Sequence, residues 1–167
     1  MTDIYIVKNK LTINGMIFKC AYGKNGFTDK KIEGDNCTPI GSYTLRRVFY
    51  RADKITTPVV GGGTVPIAIN EFMGWADDKN APQYNTMIEF PYSYSAEKMY
   101  RDDDVYDVIV EIGYNDSPPI AGRGSAIFFH IARADYTGTE GCVAVKLEHM
   151  LQILPLLTKG SVMHIKA

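Results

Sequence analysis

The sequence has no long hydrophobic run. Its longest apolar runs, such as residues 4–7 and 126–129, have four or five residues, whereas a helix that crosses a bilayer needs about 20. The first 18 residues carry charged side chains, including Asp3, Lys8 and Lys10, and lack the apolar centre of a signal peptide. We therefore expect neither a membrane span nor a signal peptide in this sequence.

An excess of charge of one sign is also absent. The 18 Lys and Arg residues nearly balance the 19 Asp and Glu residues, and the formal net charge is −1. A protein that binds nucleic acid through its phosphates usually presents an excess of basic side chains. The composition therefore predicts no nucleic-acid partner.

Cysteine and histidine are few and widely spaced. Cys20, Cys37 and Cys142 cannot all pair within one chain, so at least one thiol is free. The three histidines are 15 or more residues apart, and the sequence lacks the C-x-x-C and H-x-x-x-H pairs that are common in zinc sites. We expect no metal and no other cofactor.

The patterns that are present indicate one mainly β domain over residues 1–167. The chain is 46% hydrophobic, which is enough apolar material for one core. Alternating, β-branched and aromatic segments predict strands between glycine, asparagine and proline turns. These segments are residues 4–7, 11–13, 16–22, 43–50, 65–69, 86–90, 105–114, 125–132, 142–145 and 161–165. Their spacing favours a sandwich or barrel-like body.

Helical periodicity is limited to two segments. Residues 146–154 are predicted as the principal helix, because four apolar residues at i, i+3, i+4 and i+7 precede Pro155; they are Leu147, Met150, Leu151 and Leu154. Residues 95–101 allow a short second helix, capped by Ser95. Residues 74–85 are predicted as a surface loop, and the acids at 77–78 and 102–104 as solvated loop residues.

The segment from His130 to Cys142 carries the strongest indication of chemistry. His130 ends an apolar strand, a short polar loop follows, and Gly141 and Cys142 open the next strand. If the two strands are neighbours, an imidazole beside the thiol can take its proton and hold an imidazolium–thiolate pair. Gly141 permits a turn that aims its own amide and that of Cys142 at an oxyanion. The pattern predicts a thiol acyl-transfer site, with simple core packing of both residues as the alternative.

Separated motifs occur in an order that is typical of one enzyme family. Thr139, Gly141 and Cys142 match a Ser/Thr-His-Gly-Cys element, and residues 38–43, Thr-Pro-Ile-Gly-Ser-Tyr, match a Thr-Pro-x-Gly-x-Tyr/Phe motif. With residues 114–116 and 124–128, this pattern resembles the L,D-transpeptidase catalytic domain, or YkuD-type, family, and within it a bacterial subfamily of short, single-domain members. The resemblance runs from about residue 20 to residue 165.

This resemblance implies a β-sandwich of mixed sheets with one principal helix, and the chemistry of a cysteine acyltransferase. Cys142 is the implied nucleophile, His130 the implied base, and Gly141 part of the same catalytic element. Five further residues are implied or suggested as substrate contacts, namely Glu140, Arg133, Thr139, Tyr114 and Asn115.

The implied reaction begins with a thioester between Cys142 and a peptidoglycan stem peptide. Attack by the amine of a second stem peptide forms a crosslink, which serves cell wall biogenesis and cell shape, whereas attack by water makes the protein an L,D-carboxypeptidase. The same residues are compatible with a non-catalytic peptidoglycan-binding module, and with a cysteine protease in which Asn115 or Asp116 orients His130. We expect stem peptides as partners, a monomeric protein, and a location in the periplasm or cell envelope.

Two positions depart from the family's commoner pattern. Glu140 replaces a second histidine before Gly141, and Ala144 replaces an arginine after Cys142. Residues two apart in an extended chain share a face, so Glu140 is expected near Cys142. A carboxylate there opposes thiolate formation unless it pairs, for example with Arg133 or with an incoming ammonium group.

Overall fold

The computed structural model describes residues 2–167, which form fourteen strands, most of them short, and one α-helix. The strands are β1 (Ile4–Val7), β2 (Lys10–Ile13), β3 (Met16–Lys19), β4 (Phe27–Thr28), β5 (Thr38–Pro39), β6 (Gly41–Tyr50), β7 (Ile67–Ala68), β8 (Met73–Ala76), β9 (Met87–Glu89), β10 (Ala96–Lys98), β11 (Val108–Ile112), β12 (Phe128–Ile131), β13 (Val143–Val145) and β14 (Val162–Lys166). The helix α1 spans Leu147–Ile153, and short 3-10 turns cover Gly61–Gly63 and Leu154–Leu156. The prediction of a mainly β fold with mixed sheets and one principal helix is confirmed.

A nine-stranded mixed sheet forms the body of the molecule. Its order is β13-β12-β11-β6-β14-β1-β2-β3, with β7 paired to β6. The first and last strands of this order are brought together just beyond β3, where Ala21 and Ala144 exchange backbone hydrogen bonds of 2.8 and 3.0 Å. The sheet therefore curls until its two ends meet, and these bonds cover edges that an open sheet would expose.

The main core lies inside this curled sheet and under α1. It contains buried apolar side chains from both ends of the chain, among them Ile4, Ile6, Leu11, Val48, Val110, Phe129, Val143, Met150, Ile153, Leu154 and Met163. The predicted helix is confirmed, but its buried stripe differs from the expected one: Ile153 is fully buried, while Leu151 is 41% exposed. Met150, Ile153 and Leu154 are fully buried at i, i+3 and i+4, so the face that meets the core is rotated relative to the predicted stripe and Leu151 lies on its exposed side.

A second core lies on the other face of β11 and β12. Here a three-stranded antiparallel sheet, in the order β10-β8-β9, packs its Trp75 against Phe128 with ring centroids 5.0 Å apart. Residues 96–98, predicted as part of a second helix, are strand β10, because pairing with β8 satisfies their backbone groups. The predicted surface loop 74–85 is also wrong in part, since Trp75 and Tyr84 are only 4% and 5% exposed.

The helices among residues 2–167 are all short. The longest, α1, has seven residues, and none has the length and apolar character that a bilayer crossing requires.

Candidate active site

Strands β12 and β13 place Cys142 and His130 on one face of the sheet. The two strands are parallel neighbours, with Phe129 opposite Val143 and His130 opposite Ala144. Extending this register by one residue puts Cys142 opposite Phe128. Residues two apart in a strand share a face, so Phe128, His130 and Cys142 all lie on the same side of the sheet. The condition on which the predicted thiol site depends, that these two strands are neighbours, is therefore met.

The Cys142 side chain is 7% exposed and lies in a polar backbone setting. Its thiol donates to the carbonyl of Ala126, with Sγ 3.2 Å from the oxygen, and Sγ accepts the amide hydrogen of Phe128 at 3.3 Å. Burial raises the pKa of the Cys142 thiol to about 12, and the nearby Glu97 carboxylate acts in the same direction. The sulfur is consequently a protonated thiol at neutral pH.

The His130 ring is held on one side by the backbone. Its Nδ1 lies 3.0 Å from the carbonyl oxygen of Ile131; because a carbonyl can only accept, Nδ1 carries the proton and Nε2 is left as the basic nitrogen. The ring also makes a T-shaped contact with Tyr106, with centroids 5.3 Å apart. Burial lowers the pKa of His130 to about 4, and the guanidinium groups of Arg101 and Arg133 also lower it.

These pKa values change the expected resting state of the site. The sequence predicted an imidazolium–thiolate pair, but burial disfavours both charges and leaves a neutral thiol beside a neutral imidazole. Neither side chain's hydrogen bond is made to the other. Neutral His130 is nonetheless in the protonation state that a general base requires.

The turn before Cys142 is fixed by a set of short hydrogen bonds. The Thr139 hydroxyl donates to the Cys142 carbonyl at 2.6 Å and accepts the Gly141 amide hydrogen at 3.1 Å. The Thr38 hydroxyl, from the Thr-Pro motif, donates to the Gly141 carbonyl at 2.8 Å. The Gly141 amide is thus already engaged by Thr139 in this structure, and its predicted role toward an oxyanion stays a prediction. Within residues 2–167 the Cys142 amide hydrogen has no acceptor.

Gly141 itself occupies a position that excludes a side chain. Its φ of +136° is a backbone conformation that L residues rarely adopt, and an added Cβ would lie 2.8 Å from the Cys37 carbonyl oxygen. The glycine therefore lets residues 37–38 approach the turn closely enough for the Thr38 bond.

A cavity of about 590 Å³ extends over Cys142 and His130. Its lining includes four acids and three bases, which are Glu33, Asp77, Glu97, Glu140, Lys24, Arg101 and Arg133. Three of the five predicted substrate contacts, Thr139, Glu140 and Arg133, line this cavity with Cys142, whereas Tyr114 and Asn115 do not. The cavity has the size that small-ligand sites usually have.

The ion pairs around this cavity do not include the Glu140–Arg133 pair that the sequence suggested. The Arg133 side chain lies 3.4 Å from Asp103, which also holds Arg101 through two hydrogen bonds of 2.8 and 2.7 Å. Glu140 is exposed and makes no hydrogen bond or ion pair with another residue among 2–167. Arg133 therefore pairs with Asp103 and not with Glu140. Asp103, predicted as a solvated loop acid, instead forms ion pairs with both Arg101 and Arg133.

Tyr114 and Asn115 lie outside the cavity that contains Cys142. They line a smaller cavity of about 200 Å³ that does not include Cys142 or His130. The Asn115 side-chain amide donates to the carbonyls of Ile120 and Gly124, each at 3.0 Å, so it holds the 115–124 loop together. Asp116 pairs with Arg46 at 2.9 Å, and it is the Ile131 carbonyl that orients His130.

Three residues of the cavity were not recognised from the sequence as site residues: Glu97, Arg101 and Tyr106. The Tyr106 hydroxyl donates to the Glu97 carboxylate in a very short hydrogen bond, and Arg101 lies 4.0 Å from the same carboxylate. Burial raises the pKa of Glu97 to about 7. The signal available in the sequence was weak, because Glu97 lies in a segment with helical propensity and far from both His130 and Cys142. Among the described residues, no three His, Cys, Asp or Glu side chains are arranged to hold a metal ion.

Comparison with known proteins gives one family and two similar folds. The model of the L,D-transpeptidase catalytic domain, or YkuD, family matches residues 2–165. Solved structures of L,D-transpeptidase 1 from Mycobacterium tuberculosis and of an L,D-transpeptidase from Mycobacterium smegmatis are similar, with 11% and 10% identity and TM-scores of 0.43 and 0.42. Each alignment covers 99% of this chain and 59% of the other, so the chain spans less than two thirds of the length of either protein.

No curated protein matches the chain. The family match extends over almost every residue and agrees with the motifs around Thr38 and Cys142, so the resemblance inferred from those motifs is confirmed. The chain belongs to the L,D-transpeptidase catalytic domain family.

Proposed function

We propose that the protein is a peptidoglycan L,D-transpeptidase that joins stem peptides through a thioester on Cys142. One observation carries this proposal: the thiol of Cys142 and the imidazole of His130 lie on one face of two paired strands and line one cavity. A thiol with an adjacent base is the arrangement that nucleophilic acyl transfer requires.

The first half-reaction forms the acyl-enzyme. The Cys142 sulfur attacks the carbonyl carbon of the L-centre residue of a donor stem peptide, and His130 accepts the thiol proton at Nε2. His130 then gives that proton to the departing D-alanine amine, the carbon–nitrogen bond breaks, and a thioester remains. Because the free site is neutral, the proton moves as the sulfur attacks and not before.

The oxyanion that forms during this attack needs a hydrogen-bond donor. Of the two amides predicted for this role, that of Gly141 is bound to the Thr139 hydroxyl. The Cys142 amide is therefore the donor that we assign, and Thr139 contributes by holding the turn that carries it.

The second half-reaction transfers the acyl group to an acceptor amine, which restores the Cys142 thiol and forms the crosslink. Peptidoglycan crosslinking takes place in the periplasm or cell envelope, so the proposed function puts the working enzyme there, with stem peptides as its partners. A monomer is sufficient for this chemistry, since the proposed nucleophile and base both come from one chain.

The test is covalent labelling by a carbapenem, whose strained amide mimics an acyl donor. Intact-protein mass spectrometry should show one adduct, and peptide mapping should place it on Cys142. The Cys142→Ser variant should lose the adduct, while the Cys37→Ser variant should keep it. Labelling of Cys20 or Cys37 in place of Cys142, or no adduct, would overturn the assignment. Incubation with purified stem peptides, followed by mass spectrometry, then separates crosslinked products from hydrolysed ones.

A further inference from the structure

Glu97 and Tyr106 form a hydrogen-bonded acid pair on the wall of the proposed active-site cavity. Glu97 comes from β10, opposite Trp75 in β8, and its carboxylate accepts the Tyr106 hydroxyl. Tyr106 is 4% exposed, and its ring contacts that of His130. The first half-reaction, which uses Cys142 and His130, does not involve the Glu97 carboxyl group.

The charges that face Glu97 come from several elements. Arg101 lies 4.0 Å away and favours the carboxylate, as does the Tyr106 hydroxyl. Burial, Glu140 and Asp77 disfavour the charged form and raise the pKa of Glu97 to about 7. Glu97 in turn is the charge that, after burial, contributes most to raising the pKa of Cys142. Its carboxyl group can therefore gain or lose a proton at neutral pH, within the electric field of the proposed nucleophile.

Transfer to an amine requires one proton acceptor more than transfer to water. An alkyl amine has a pKa of about 10 and reaches the enzyme as an ammonium ion. It must lose one proton before its lone pair can attack and a second as the new amide forms. His130 can accept only one of these protons, whereas a water molecule has to lose only one proton to attack and form the carboxylic acid.

We propose that Glu97, held by Tyr106, is the base that takes the first proton from the acceptor ammonium. This inference rests on the proposed function, because it concerns the second half of the same reaction. The ammonium gives one proton to the Glu97 carboxylate, and the neutral amine attacks the thioester carbonyl. His130 accepts the second proton from that nitrogen and delivers it to the sulfur as the carbon–sulfur bond breaks. Glu97 later releases its proton to water, so both groups return to their starting states.

Geometry favours Glu97 over Glu140 for this step. Glu140 is exposed and has no hydrogen-bond partner among residues 2–167, so no contact in the described part of the chain fixes the direction of its carboxylate. Glu97 is oriented by Tyr106, and the same tyrosine contacts His130. The two proposed bases are thereby held relative to each other, which is the positioning that sequential proton transfers need.

The experiment compares acceptors on a preformed acyl-enzyme. Wild type, Glu97→Gln and the control Glu89→Gln are acylated by a stem-peptide donor, and the Cys142 thioester is quantified by mass spectrometry. Each is then divided among three conditions: an alkyl amine, hydroxylamine, which is neutral at neutral pH, and water alone. Glu89 is exposed on β9 of the same small sheet and lies outside the cavity.

We expect Glu97→Gln to slow transfer to the alkyl amine by about 10²-fold relative to hydrolysis, within the range for removal of a general base. Transfer to hydroxylamine should fall by less than about threefold, because no proton has to leave before attack. Glu89→Gln should match wild type in all three conditions. Equal slowing with both amines and water, or no slowing with the alkyl amine, would overturn the role of Glu97.

Tyr106→Phe provides a second test, because its expected result would not arise if the role of Glu97 were purely structural. This change keeps the ring against His130 and removes the hydroxyl that stabilises the Glu97 carboxylate, so the pKa of Glu97 rises. The pH at which transfer to the alkyl amine is half-maximal should move upward by about one unit, while that for hydrolysis stays in place. An unchanged profile would also overturn the inference. If wild type forms no acyl-enzyme, the proposed function itself fails, and this inference fails with it.

Discussion

The substitution Gly141→Ala tests the turn that positions the proposed nucleophile. An alanine at φ +136° is strained, and such conformations cost about 1–3 kcal/mol. Its Cβ would also lie 2.8 Å from the backbone oxygen of Cys37, and moving packed backbone apart costs about 1–3 kcal/mol more. We expect a total loss of about 2–6 kcal/mol in the free energy of unfolding, because backbone on both sides resists the shift.

This loss should be visible in the thermal midpoint. For a domain of this size, 1 kcal/mol corresponds to about 3 °C, so Gly141→Ala should lower Tm by roughly 6–18 °C. Where the variant is folded, carbapenem acylation of Cys142 should be slower by about 10²-fold, since a small displacement of a reacting group has that effect. Thermal circular dichroism and intact-protein mass spectrometry measure the two changes.

Gly15→Ala is the matched control. Gly15 also has a positive φ, +78°, but a Cβ there would meet nothing within 4 Å, and it lies in the hairpin turn between β2 and β3. We expect a loss of only about 1–2 kcal/mol, from the left-handed backbone alone, and normal acylation. Equal effects of the two substitutions on stability and acylation would refute the argument that the approach of residue 37 shapes the site.

Three further predictions concern His130 and Glu140. His130→Asn should slow acylation by about 10²–10⁴-fold while the fold is retained by circular dichroism; full activity would assign His130 to packing alone. The pKa of His130 is lowered from 6.5 to about 4 in the folded protein, so the unfolded state binds more protons between these values, and stability falls as the pH falls from 6.5 to 4. The loss in the free energy of unfolding over this pH range is about 3 kcal/mol. Urea titrations should show the loss in wild type but not in His130→Asn. Glu140→Gln should leave Tm and acylation nearly unchanged, because the exposed carboxylate has no partner, but should raise the concentration of alkyl-amine acceptor needed for half-maximal transfer by about tenfold. Unchanged acceptor dependence would leave Glu140 as a surface acid.

Local sequence patterns predicted the parts of the fold that local physics controls. The Asn14-Gly15 turn is present with φ of +47° and +78°, and the central strands were visible as apolar runs because they are buried on both faces. The pairing of the strands of His130 and Cys142 was only a condition of the predicted thiol site, because the loop between them does not decide which strands pair; the structure meets that condition with a parallel pair. The segment 95–101 was misassigned because its residues favour a helix in isolation, whereas pairing with β8 decides its conformation.

The electrostatics of the site could not be predicted in the same way. The pKa values of Cys142 and His130 depend on how deeply the second core buries them, and the sequence gives no measure of that burial. Glu97 reaches the cavity only because the small sheet packs across Phe128. Likewise, the hydroxyl of Thr38 was recognisable as part of a motif, but its bond to the Gly141 carbonyl depends on the close approach of residue 37.

The closure of the sheet beside Cys142 has a consequence for the order of folding. Strand β14 lies between β6 and β1 in the sheet, so the N-terminal strands are connected to β6 only through residues 162–166. The bonds between Ala21 and Ala144, two residues from Cys142, close the sheet once all of these strands have paired. Contacts between residues so distant in sequence form slowly, because the loop entropy must be lost before they stabilise anything. The surroundings of the nucleophile are thus among the last parts of the molecule to be assembled.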